Sequence, residues 1–519
     1  MPVAQIDLGA AYRILARAAY GARAGEAEAL ARGGLGRWVE AQLSLGGKEE
    51  PALAARLAGL ALPIRYAAGP GEQVTAELRP LTSLGATQAE RWALLPRPGQ
   101  KVLPQELARP LLELSVATIL RKAEAESQLH ERMVEFWHDH FSVSARAGAP
   151  VQVSLPEHDR RIRRHALGSF RALLEAMATS PAMLFYLNNQ SSRAGAPNEN
   201  YARELLELHT LGRAAYAGAA RNGRAVPRGP DGLARAYVDA DVWEAARAFT
   251  GWTLSNGQRL DATRALPRRG EFVFVEQWHD PYQKRFLGRD LDPFPPAMAH
   301  GRAVLDALAG HPATARLLCT KLARFFLGAA PEPAVARAAA TFLRHAEAPD
   351  QMAHVLRALL LEGPEIADPA LGRVRRPLDL VAAAARAYDI PLTPKPPLVS
   401  RMTLAGQQLF GWPAPDGQPL EAEAYLGATA LRQRWICMLA LTRDVWGTGT
   451  APLFAELAGG PVATVADALA QRALGPAGRP VARTIAGTWT AAGRNPRPVA
   501  AEVAELAGWV LAAPAFQAS

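Results

Sequence analysis

The sequence predicts a mainly α, multi-helical protein with at most a small β-hairpin near residues 271–288. Three observations carry that expectation. Apolar residues recur at helical spacing in long segments along the chain. Period-two alternation is convincing in one place, EFVFVEQW at 271–278, which reads as a hairpin arm. Stretches rich in Pro and Gly punctuate the periodic segments. At 519 residues the chain is long for one core, so lobes are expected. These are an N-terminal helical region (1–100), a central helical domain (101–390) and a C-terminal helical lobe (391–519).

In chain order, helices are expected over 9–23 and 34–43, then irregular chain over 62–84 with scattered Pro and Gly. Helices follow at 103–124 and 126–141, separated from the next by VSARAGAPVQVSL, 143–155. Segments 169–178 and 199–212 read as helical, the second opened by Pro197 and an Asn198 N-cap and closed by Gly212. The Gly- and Arg-rich 213–238 reads as irregular, and 239–250 as helix. Helices at 299–309, 313–327, 349–361 and 377–388 lead to IPLTPKPPLVS, 390–400, a proline-rich linker. The last lobe carries helices at 422–442 and 496–512.

The net charge of +9 does not amount to a nucleic-acid footprint. The arginines are scattered, usually beside alanine, with no long run of one sign, and Arg160, Arg161, Arg163 and Arg164 read as a solvated helix face. Cys319 and Cys437, the two cysteines, each lie in an apolar helical pattern and read as packed thiols, which excludes a cysteine-built zinc site. Arginines interrupt the N-terminal segment, so it does not read as a signal peptide, and no stretch is long and apolar enough to span a membrane. A cytoplasmic protein is expected.

Chemistry concentrates in three places. The first is EFWHDHF, 135–141, on a chain with 11 histidines. Stepping about 100° per residue from His130 puts that histidine in a stripe with Met133, Val134, Trp137 and Phe141. His138 falls beside Glu131 and Glu135, and His140 on the far edge of the stripe. They stand about 160° apart, so they cannot chelate one ion while both are helical. Glu135 and His138 have the Glu-x-x-His spacing of di-iron bundles, but the second copy is missing.

The second is APNENYARELLELHTLG, 196–212. Glu199, Asn200, Arg203, Glu204 and Glu207 share one sector of about 140°. That sector could be a solvated face stitched by Glu199–Arg203–Glu207 pairs. Its approach, LFYLNNQSSRAG, brings Asn188, Asn189 and hydroxyls to the helix start, an oxygen-rich arrangement suited to a hard cation or a sugar-like ligand. The third is WHDPYQKRFLG, 278–288, where His279, Asp280 and Lys284 sit after the strand. No Gly-x-Ser-x-Gly, His-Glu-x-x-His, P-loop or dinucleotide fingerprint is present.

FWHDHF, SPAMLFYLNN, PNENYARELLELHTLG, AFTGWT, HDPYQKRFLG, HPATARLLCTKLARFFLG and RRPLDLV, in this order, resemble the bacterial "domain of unknown function 1800" family. YRILARAAYGARAGEAEALARGGLGRWVEAQLS and AGQQLFGWPAPDG fit too, although Phe410 runs into Gly411 and Trp412 more compactly than usual. The resemblance covers roughly residues 10–445 and supplies no catalytic roles. It implies a gene neighbour, a sulfatase-like "domain of unknown function 1501" protein, as a partner. Members often carry export signals, so export of this chain is expected only with a signal-bearing partner.

Charged and amide-rich motifs bordered by Trp137, Phe141, Trp252 and Trp278 are costly to bring together unless they pair or bind something. The expectation is one pocket formed by the three motifs and a metal-dependent enzyme, hydrolytic rather than redox. Glu204, Glu207, His279 and Asp280 are the expected ligands of a divalent metal, with His138 or His140, beside Asp139, as the acid–base group or a further ligand. Arg203 and Lys284 are expected to clamp a polar group, and Asn188, Asn189, Asn198, Glu199, Asn200 and Trp252 to bind the ligand. The rivals are a non-catalytic assembly partner held by buried ion pairs, and a helical redox protein carrying haem or di-iron.

Overall fold

A computed structural model describes residues 6–66, 75–97, 99–218 and 226–518. Parts of two stretches expected to be irregular, 67–74 and 219–225, lie outside the described residues, as do residues 1–5. The protein is mainly helical, with small two-stranded antiparallel sheets. The strand expected at 271–278 spans Arg268–Phe274 and pairs back onto Trp252–Asn256, and Glu276–Trp278 turns into a 3-10 helix. Lys284–Phe286 pairs with Arg289–Leu291. One pairing corrects the sequence reading: Ala61–Tyr66 and Thr75–Pro80 form a ladder where irregular chain was expected. Scattered prolines hid it, because Pro63 and Pro80 occupy positions of a short two-stranded sheet that need not donate to the ladder.

Two helices begin inside stretches read as connections. Ala149–His165 starts within 143–155, with Pro150 in its first turn where a missing N–H costs nothing. Pro396–Leu404 starts within the proline-rich 390–400 by the same device.

The largest core cluster runs from Ala11 to Ile366 and takes in the apolar residues of Gln128–His140, whose Trp137 is fully buried and donates Nε1–H to the Ala166 carbonyl at 2.9 Å. A second cluster joins Pro377–Tyr388 to the C-terminal helices Ala428–Thr442, Val462–Leu474 and Ala500–Ala512. Cys319 and Cys437 are buried free thiols, one in each cluster. Among the described residues no helix is long and apolar enough to cross a membrane.

Candidate active site

The Gln128–His140 helix sends its polar residues three ways. Its Glu135 is 8% exposed and takes Arg376 at 2.5 Å, Lys122 at 2.7 Å, Arg132 at 3.0 Å and the Tyr20 hydroxyl at 2.6 Å. Arg376 also reaches Asp139 at 2.7 Å, while Asp379 takes Arg373 at 2.9 Å. Burial opposes the Glu135 charge, but Arg376, Lys122 and Arg132 hold its carboxyl well below the usual range. This network ties the helix to Pro104–Glu124 and to the RRPLDLV segment. Glu131 is likewise buried, held by Arg163 at 2.6 Å, so neither glutamate belongs to a solvated face.

His138 points to the Ala149–His165 helix, where its Nε2 lies 2.9 Å from Asp159 and its ring meets Phe410 edge-on. Arg163 holds the other Asp159 oxygen at 2.8 Å. Thus His138 has a carboxylate partner, while Arg163, expected on a solvated face, is mostly covered and paired with two carboxylates.

His140 points elsewhere. It is 2% exposed, and its Nε2–H donates to the His209 carbonyl at 3.0 Å, which leaves the Nδ1 lone pair free to accept. Burial pushes its pKa well below the ordinary value, so the ring is neutral. The donor to Nδ1 is Lys321, 3.3 Å away, which also donates to the Leu208 carbonyl at 3.1 Å. Lys321 sits on Pro312–Leu327 among Leu318, Leu322 and Phe325, which are buried. Among the described residues no carboxylate lies within 4.0 Å of its ammonium. Burial lowers its pKa to about 8, against the more distant Asp416 and Asp139.

The Leu208 and His209 carbonyls lie in the last turn of PNENYARELLELH, where a helix leaves its carbonyls free, and this stretch does not run as one α-helix. Glu199–Glu204 is α-helical, and Leu205–His209 is a π turn. Wide turns of this kind recur at functional sites because they re-aim backbone groups. Asn198 does cap the start, accepting from Tyr201 N at 2.9 Å, and its amide donates to the Asn188 carbonyl at 2.7 Å. Asn189 is buried and donates to the Trp252 carbonyl at 3.0 Å. These amides bind backbone and position the helix. Trp252 is fully buried as well, a core side chain. Glu199 and Asn200 are exposed, Arg203 pairs with Asp239 at 3.4 Å, and Glu207 pairs with Arg213. Glu204 has its pKa raised by burial and by Glu207.

Two adjoining cavities open where these groups meet. One of about 70 Å³ is lined by Lys122, Glu135, His138, Asp139, Asp159 and Phe410 among others. The other, about 250 Å³, is lined by Asp139, His140, Lys321, Arg324, Phe325 and Asp416 among others. Trp412 and Gln418, from AGQQLFGWPAPDG and its next residue, line both. This segment is anchored from outside, Ala145 N donating to the Phe410 carbonyl at 2.7 Å and Tyr186 Oη to Pro413 O at 2.8 Å, and is braced within itself by Trp412 Nε1 donating to Asp416 at 2.9 Å. Gly417 has φ +89°, and a Cβ there would stand 2.2 Å from the Asp139 carbonyl oxygen. Gly417→Ala is therefore expected to unseat the segment at a cost of about 1–3 kcal/mol. Urea unfolding, with limited proteolysis mapped to residues 405–421, checks this; an unchanged midpoint would contradict the close packing.

A family model described as "Protein of unknown function (DUF1800)" matches residues 13–518. The chain belongs to the DUF1800 family. The match extends past the 10–445 covered by the motifs and takes in the C-terminal helices. Comparison with curated proteins and with solved structures returned no match.

In this DUF1800 chain the FWHDHF and PNENYARE motifs meet behind the Lys321 cavity, but the HDPYQK motif does not line either cavity. Asp280 is held by Arg247 at 2.7 and 3.1 Å. His279 contacts Thr250 and His300, and Lys284 donates to the Tyr282 carbonyl at 2.8 Å. Among the described residues no group of three or more His, Cys, Asp or Glu side chains is placed to hold a metal, so Glu204, Glu207, His279 and Asp280 do not gather as a ligand set. Sequence reasoning missed Lys321. The available signal was one lysine inside the apolar helical pattern ATARLLCTKLARFFL.

Proposed function

We propose that the protein is an acid–base enzyme, hydrolytic in type, whose general base is the Lys321 amine in the 250 Å³ cavity. One observation carries this reading: two acceptors, His140 Nδ1 and the Leu208 carbonyl, are fixed on Nζ. When Lys321 loses a proton, its two remaining hydrogens stay on those acceptors, and the lone pair takes the direction left over, the cavity. With a pKa of about 8, roughly a tenth of the lysine is in this form at pH 7. A water in the cavity would give its proton to Nζ while attacking a bound ester or amide. His140 is a positioning residue, its tautomer set by the His209 carbonyl. Arg324 at the exposed rim supplies a cation for the developing oxyanion, and Trp412 and Phe325 supply apolar walls for a small polar substrate.

The test is a panel of chromogenic esters and amides offered to the wild type, Lys321→Met and Lys321→Arg. Turnover by the wild type should rise through pH 8. Both variants should lose at least about 100-fold, because arginine keeps the charge but cannot act as a base at this pH. Equal turnover by wild type and Lys321→Arg would remove Lys321 from the chemistry.

A further inference from the structure

The HDPYQK motif builds a nitrogen cluster of its own, apart from the Lys321 cavity. His279 Nδ1 lies 2.9 Å from the Thr250 carbonyl, which can only accept, so Nδ1 carries the hydrogen. The Thr250 hydroxyl, 3.2 Å from the same nitrogen, already donates to the Arg247 carbonyl. His300 Nε2 lies 2.7 Å from the Asp292 carbonyl, so it too carries a hydrogen. With both rings neutral, the remaining ring nitrogens, His279 Nε2 and His300 Nδ1, then face each other at 2.9 Å with no hydrogen between them. Lys284 stands 3.1 Å from His300 Nδ1 and also donates to the Asp280 and Tyr282 carbonyls. His300 is 2% and Lys284 1% exposed, while His279 is half-buried and opens the cluster to solvent.

We propose that His279 Nε2, His300 Nδ1 and Lys284 Nζ form a binding site for one late first-row divalent cation of the zinc class. Opposed lone pairs repel each other, and a cation between them turns that repulsion into two bonds. Both imidazoles donate their other N–H to a backbone carbonyl, the outer contact that fixes the tautomer of metal-binding histidines. Zinc–nitrogen bonds of about 2.0–2.1 Å place tetrahedral ligands about 3.3 Å apart, so separations of 2.9 and 3.1 Å need to open only slightly. An all-nitrogen set selects late transition metals over calcium or magnesium. On binding, both imidazoles stay neutral, the Lys284 ammonium releases one proton to solvent, and water through the His279 side fills the fourth position. Asp280, held by Arg247, stays outside the ligand set.

The test uses the full chain, stripped with a chelator and titrated with Co²⁺ for its visible bands, then with Zn²⁺ against a chromophoric competitor. The expected result is one equivalent bound with tetrahedral Co²⁺ absorption. Affinity should fall at least about 100-fold in His279→Gln, beyond the 10–100-fold typical of outer contacts, and at least about 10-fold in Lys284→Met. Because His300→Gln alters a buried site, the half-buried His279→Gln with an unchanged circular dichroism spectrum decides. Binding that persists in His279→Gln, that vanishes instead in His354→Gln of the stacked surface pair His345–His354, or that shows no stoichiometric site in the wild type would overturn the proposal.

Discussion

Glu135→Gln is expected to cost about 3–5 kcal/mol of stability, the range for breaking a buried ion pair from one side. The network contains four cations, Lys122, Arg132, Arg373 and Arg376, against three carboxylates, Glu135, Asp139 and Asp379. Neutralising Glu135 leaves Arg376 only Asp139, and leaves Lys122 and Arg132 to share Asp379 at 3.7 and 3.6 Å. Adding Arg132→Met to Glu135→Gln removes one excess charge, so the double variant should recover part of the loss. Urea unfolding of wild type, Glu135→Gln, Arg132→Met and the double variant measures it. A loss under about 1 kcal/mol would class the network with exposed pairs. Glu135 has its pKa depressed, so its contribution is full above the unfolded carboxylate range and is lost as pH falls through the folded value. The gap between wild type and Glu135→Gln should therefore narrow on acidification.

The second large effect is pH-dependent and belongs to Lys321. Its pKa falls from 10.5 to about 8 on burial, which corresponds to a folding cost of roughly 3 kcal/mol while the ammonium is charged in both states. The sign follows from proton counting. Below about pH 8 folded and unfolded chains are both protonated, and the full cost is present. Between about 8 and 10.5 only the unfolded chain keeps the proton, so stability rises with pH. Lys321→Met has no such term. Wild type should thus gain on the variant by roughly 3 kcal/mol across that window. A constant difference across the window would mean that Lys321 titrates as an exposed lysine.

Much of the fold was legible because amphipathic spacing survives in the sequence wherever a helix lies against the core. Phe170–Ala178 and Pro377–Tyr388 fall within a residue of the periodic segments. Helices opening with proline were harder, since Pro150 and Pro396 read as breakers until they are seen as first-turn residues. In the site, the helical wheel separated His138 from His140, and their partners, Asp159 and the His209 carbonyl, are different. Arg163 reads from its basic cluster as part of a solvated face, and nothing on the wheel marks Glu131 and Glu135 as members of buried ion pairs. Their counter-charges come from other elements, Arg376 standing 241 positions from Glu135, and spacing along one helix carries no sign of them. The π turn defeated the wheel over 205–209, where a 100° step no longer holds. His300, the partner of His279, was a lone histidine in an apolar helix and gave no local sign of the pairing.

The central claim is that Lys321 presents a reactive amine to the cavity at near-neutral pH. Competitive trace acetylation of the folded protein across pH 6–11, read lysine by lysine by mass spectrometry, tests it most directly. Lys321 should titrate near 8, more than two units below the roughly 10.4 of an ordinary lysine. Titration of Lys321 near the roughly 10.4 of an ordinary lysine, or no acetylation of Lys321 at any pH while the exposed Lys101 reacts, would contradict the account.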